Sequence, residues 1–122
     1  MLMVIILAGL GSGCGKGWQM DYGKPAAQFH EQDVLGKGKA FVGKKITVKG
    51  VVEKVDSSDP DSAWILLSEG TRCNFGKFKR MAEGFKPGDI IYVDGFLKRC
   101  EKDDVVIDPA ISRDRKAPFE PK

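Results

Sequence analysis

The sequence predicts a mainly β domain in which five strands close into a barrel. A short helix is expected between the third and fourth strands, and another ahead of the first. Three observations point there. From residue 44 onward, apolar residues recur in five runs with a spacing close to two. Between the third and fourth runs, Phe78, Met81, Ala82 and Phe85 switch to the i, i+3, i+4, i+7 spacing of a helix face. The first and fourth runs each carry a central glycine, Gly50 and Gly95, where a long strand can bend.

The 122-residue chain is long enough for one domain with its own core. It is 42% hydrophobic and 30% charged, an ordinary globular mix. Its net charge is +3 and its pI ≈ 8.8. That is below the pI of about 9 expected of a strong nucleic-acid binder, and the charges are interleaved rather than blocked. The single histidine, His30, argues against a catalytic triad or a multi-histidine metal site.

Residues 1–10, MLMVIILAGL, carry no charge. The run is shorter than the roughly 20 residues that span a bilayer. It fits the apolar region of a signal peptide, although no positive residue precedes it. The following "LAGLGSGCGKG" invites a phosphate-loop reading, which needs G-x-x-x-x-G-K-[ST]. Leu10 stands where the first glycine belongs and Gly17 where the hydroxyl belongs, so both anchors fail. Gly11-Ser12-Gly13-Cys14 instead resembles the small-residue box of bacterial lipoprotein signals, with Leu10 one place early. That resemblance implies a signal peptide over 1–13, lipidation at Cys14, a lipidated tether over 14–25, and attachment to a membrane of the bacterial cell envelope, facing the periplasm or outside. An ordinary secretory signal with an incidental cysteine is the alternative.

The remaining elements follow in order. Residues 26–35 read as a short helix ended by Gly36 and Gly38, with the connection running to residue 40. Residues 44–56 read as a long strand whose alternation slips after Gly50, the mark of a bulge. Residues 57–62, SSDPDS, are a loop. Residues 63–69 and 71–76 form two strands around Gly70. A three-residue turn would put Ile65, Leu67, Cys73 and Phe75 on one face; a two-residue turn would put Trp64 and Leu66 there. The helix covers 78–85, and KPGD at 86–89 is a turn. Strands follow at 90–99 and 104–112. The charged tail 113–122, with two prolines, reads as disordered.

Strand, strand, strand, helix, strand, strand is the layout of an OB-fold, a five-stranded Greek-key barrel. The domain spans residues 41–112. The pieces "FVGKKITVKGVVEKV" (41–55), "RCNFG" (72–76) and "KPGDIIYVDGFL" (86–97) are similar to the tRNA-anti-like OB-fold domains of small bacterial lipoproteins. The similarity runs from Phe41 to Ile111. It implies a barrel behind a lipid anchor and no settled activity.

OB-folds take ligands on strands two and three and the loops beside them. Lys49, Trp64, Arg72, Asn74 and Lys77 are the candidate ligand face. Asp56, Asp59 and Asp61 in one flanking loop, and Glu101, Asp103 and Asp104 in the other, repel phosphates and argue against nucleic acid. Cys73 and Cys100 are a candidate disulfide, with a buried thiol the alternative for Cys73. No metal site, cofactor motif or nucleophile–base pair is visible. The expected function is a non-catalytic binding module for a protein or small molecule. Binding of single-stranded nucleic acid or oligosaccharide through the same face is the alternative.

Overall fold

The computed structural model describes residues 24–122. The signal segment 1–13, Cys14 and most of the tether lie outside the described residues. Among those described, the strands are β1 (Ala27–His30), β2 (Lys45–Asp56), β3 (Ala63–Leu67), β4 (Thr71–Gly76), β5 (Ile90–Glu101) and β6 (Asp104–Ser112). Helix α1 is Glu31–Lys37, a 3-10 turn covers Lys39–Phe41, and helix α2, Lys79–Glu83, falls between β4 and β5 in the chain. The strand order is β1-β2-β3-β4-β6-β5, and β5 pairs back onto β2. Five strands thus close into a barrel of OB-like form, with β1 added beside β2.

One long strand makes the closure possible. The first half of β2, Lys45 to Val51, pairs with β5. Its second half, from Val52, pairs with β3. Ile46, Val48 and Val52 alternate inward and are buried. The bulge sits between Val52 and Lys54, not at Gly50. Gly50 keeps the inward parity, and its missing side chain leaves room for Glu31 and Leu67.

The β3–β4 hairpin takes the three-residue turn. Ile65 pairs with Cys73 and Leu66 with Arg72, and Ile65, Leu67, Cys73 and Phe75 are all buried. Trp64, Arg72 and Asn74 therefore face outward. The helix is shorter than the expected 78–85, with Phe78 at its N-cap and Phe85 beyond Gly84 at its C-cap, yet the apolar stripe packs as its spacing demands: Ala82 is fully buried, and Phe78, Met81 and Phe85 pack against the core.

Two expectations are corrected. Residues 27–30 are a strand, not the start of a helix. Phe29 enters the core at 0% exposure and meets Phe41 edge to face at 5.7 Å. Parallel pairing of Ala27–His30 with Ile46–Lys49 outweighs the weak helical period there. The helix begins only at Glu31. It carries Glu31 and Asp33 in its first turn and Lys37 in its last, the arrangement that suits the helix dipole.

The tail 113–122 is not disordered but lies on β1 and β5. Arg113 N donates to Tyr92 O at 2.7 Å and Lys122 N to Gln28 O at 2.9 Å. The Phe119 ring meets His30 and Tyr92 edge to face, at 5.4 and 5.2 Å. Charge and prolines suggested disorder; one aromatic anchor and several backbone donors hold the segment instead.

Candidate functional site

Outward-facing residues of β2, β3 and β4 form a surface around Trp64. The indole is half-buried. The Arg72 guanidinium lies 4.9 Å from its ring centroid, and the Lys54 ammonium 5.7 Å. The two cations come from the strands on either side of β3, because Lys54 and Arg72 are both cross-strand partners of Leu66. Cations held over an aromatic ring are attracted by its negative face, so the indole and the two positive groups form one patch.

Asn74 continues the surface. It is Trp64's cross-strand partner. Its amide donates to Asp108 Oδ2 at 3.1 Å, and its carbonyl accepts from Gly76 N at 2.9 Å. Lys98 Nζ lies 3.6 Å from the same Asp108 oxygen. Asn74 is therefore held in place, not free to reorient. Lys77 is exposed just beyond β4, whose last residue Gly76 pairs with Ala63.

Lys49 does not join this surface. It is paired with His30 and Tyr92, and its Nζ lies 5.5 Å from the Tyr92 ring centroid. Trp64 pairs with Asp56 at the far end of β2. At about 3.3 Å per residue the two positions are more than roughly 20 Å apart along the strand. The sequence missed Lys54, although its register opposite Leu66 follows from the hairpin once the bulge is known.

The flanking loops differ in charge from the sequence reading. Asp56 Oδ1 accepts from Ser58 N and Oγ, at 3.0 and 2.7 Å. Those bonds hold its carboxyl below the ordinary value. Asp59 likewise accepts from Asp61 N at 2.9 Å. In the β5–β6 turn, Glu101 faces Lys39 at 3.4 Å and Asp104 faces Arg99 at 2.8 Å. The second loop is thus largely neutralised, and the repulsive charge is concentrated in the first.

The two described cysteines are free and buried. Cys73 pairs with Ile107 and Cys100 with Val105. With β6 between their strands, two steps of about 4.8 Å keep the backbones beyond the roughly 7 Å a disulfide tolerates. The Cys100 thiol donates to Val34 O at 3.4 Å. Burial pushes both thiols up from the ordinary value. In a Cys14→Ser chain, neither should react with Ellman's reagent until denaturant is added; native-state labelling would contradict this packing.

Glu31 had no sequence signal. It is 5% exposed. Its Oε2 accepts from Glu69 N and Thr71 N, at 3.0 and 3.1 Å, and so fastens the β3–β4 turn to α1. Its Oε1 is buried without a partner, close to the position a Gly50 side chain would occupy. Burial raises the carboxyl from its ordinary value of 4.5, against the lowering effect of the two N–H bonds. The folded state then holds the proton more tightly than the unfolded state. The stability contributed by this group is greatest below the ordinary value and falls as pH rises through the raised one. In urea titrations, Glu31→Gln should lose that fall. Glu31→Ala should cost about 2 kcal/mol by orphaning the two turn N–H groups. An unchanged urea midpoint would contradict the contact.

Among the described residues, no group of three or more His, Cys, Asp or Glu side chains is placed to hold a metal ion, and no helix is long and apolar enough to cross a membrane. The class defined by these features is a mainly β protein on a closed five-stranded barrel, with a Trp-centred outer surface. No family model matches the chain, and no curated protein matches it.

Proposed function

We propose that this chain is a non-catalytic binding module. It takes a protein or small-molecule ligand on the outer surface of β3 and β4. The observation that carries the reading is Trp64, kept half-buried on the outside of the barrel with Arg72 and Lys54 against it. An isolated outward tryptophan needs no explanation. One set between two cations, beside an Asn74 fixed by two hydrogen bonds, is a pre-organised patch of the kind binding sites use.

The finer architecture belongs to the same proposal: a Greek-key OB-fold with α2 at one end of the barrel, related to the tRNA-anti-like domains of lipoproteins. So does the address, a lipid anchor at Cys14 holding the barrel at the bacterial envelope. The strand order and the position of α2 between β4 and β5 support the fold reading.

Single-stranded nucleic acid or an oligosaccharide is the second reading, favoured by the Trp64–Arg72 stack. Titration with single-stranded oligonucleotides at two salt concentrations separates the two. Under the first reading, binding is absent or weaker than about 1 mM. Micromolar binding that weakens with salt and in Trp64→Ala would transfer the surface to nucleic acid. Fatty-acid labelling in cells tests the anchor: label is expected on the chain and lost in Cys14→Ser.

A further inference from the structure

A second surface lies on the outer face of β1, β2 and β5, and the tail 113–122 already occupies part of it. Three cross-strand rows make it up. The first is Gln28, Thr47 and Asp94; the second is His30, Lys49 and Tyr92; the third is Val51 and Ile90. These positions point away from the barrel core, yet the first row is almost inaccessible: Gln28 is 9% exposed, Thr47 0% and Asp94 7%. The tail is bonded to both ends of that row, to Gln28 and to Asp94.

Its contacts are those of a bound peptide. Arg113 donates to Asp94 Oδ2 at 3.0 Å, and the other Asp94 oxygen accepts from Thr47 Oγ1. Gln28 reads the tail backbone three times. Its carbonyl accepts from Lys122 N at 2.9 Å, its Oε1 accepts from Glu120 N at 2.6 Å, and its Nε2 donates to Pro118 O at 3.4 Å. Phe119 stands between His30 and Tyr92 over the second row. The fit is incomplete: Arg113 Nε is buried without a partner, and an open groove of about 560 Å³ remains between the tail and residues 24–28. The third row is exposed among the described residues, Val51 at 39% and Ile90 at 51%.

We propose that this face is a docking surface for an extended peptide carrying an arginine and, some residues on, an aromatic side chain, and that residues 113–122 occupy it as a tethered competitor. The resident segment shows the chemistry the face accepts: a guanidinium for Asp94, backbone for Gln28, and a ring for His30 and Tyr92. The exposed Val51–Ile90 row gives an incoming partner apolar area that the tail does not bury. Tethering holds the tail at an effective concentration on the order of mM, so an external peptide binds weakly until the tail is loosened. This surface is separate from the Trp64 patch and does not depend on it.

The test uses the full chain and a fluorescent peptide of sequence RDRKAPFEPK, followed by anisotropy. Phe119→Ala removes the anchoring ring from the tail and leaves the face intact. Glu120→Pro, a second variant, removes the N–H that Gln28 Oε1 accepts. Each loosened chain, shown folded by circular dichroism, should bind the peptide at least about 10-fold more tightly than the unaltered chain. A peptide with alanine in place of its arginine at position 113 and its phenylalanine should not bind. Equal or absent binding up to about 1 mM in folded chains of both variants would overturn the proposal. So would a concentration-dependent dimer in light scattering, which would assign the face to the tail of a second copy.

Discussion

Gly95→Ala is expected to destabilise the barrel by about 3 kcal/mol or more, and to leave little folded protein at 37 °C. Gly95 sits at an inward position of β5, between Val93 and Leu97, opposite Ile46 on one side and Ala110 on the other. An added methyl would lie 2.4 Å from Ile107 Cγ2 and 2.4 Å from the Pro109 carbonyl oxygen. A side chain can turn aside, but a carbonyl belongs to the backbone of β6 and moves only if the strand moves. Ordinary van der Waals contact requires about 3.5 Å or more. The register of β5 against β6 already shifts just beyond Gly95, so this is where the strand turns the corner of the barrel. Urea unfolding by circular dichroism measures the cost. Gly36→Ala is the matched control, because an added methyl there meets nothing. A Gly95 variant as stable as the control would mean that β5 and β6 do not approach as described.

Arg113→Ala is expected to cost about 3 kcal/mol. Its partner Asp94 has a side chain only 9% exposed, and that of Arg113 is 17% exposed. Removing the guanidinium leaves a buried carboxylate with Thr47 as its remaining side-chain donor. The loss of a partner from a buried pair is far more costly than the loss from a surface pair such as Lys39–Glu101, which contributes about 0–1 kcal/mol. Replacing Lys39 by alanine is therefore the contrast: its unfolding midpoint should barely move. A small effect at Arg113 would show that the tail does not cover Asp94 in solution.

The β framework was legible because period two runs through most of each long strand and slips only near the bulges, and the α2 stripe because its spacing is helical over its whole length. The hairpin register was legible only as two alternatives; burial of Ile65, Leu67, Cys73 and Phe75 chose between them. Strand β1 was not legible. It is short, and only its pairing with β2 makes it a strand. The contacts that fix the tail join residues far apart in the chain, such as Glu120 and Gln28, and no local pattern announces them. The same holds for Glu31, which looks like a surface helix residue until the β3–β4 turn is brought against it.

Of the candidate surface, Trp64, Arg72 and Asn74 were legible as residues of the second and third barrel strands; their outward parity came only with the three-residue turn. Lys49 was misplaced because a strand that bends and changes partners carries its two ends to different faces. Lys54 was missed for the complementary reason: the bulge after Val52 turns it outward beside Leu66.

The most direct test of the Trp64 surface is site-specific photocrosslinking in the cells that make the protein. A photoreactive phenylalanine analogue is placed at Leu66, half-buried on the outer surface between Lys54 and Arg72, or at Val42, exposed just ahead of β2, whose opposite end pairs with Trp64. A discrete adduct at position 66, absent at position 42 and lost when Trp64 and Arg72 are both alanine, is the predicted result. Equal adduct patterns at both positions, or an adduct at 66 that survives the double alanine change, would contradict it.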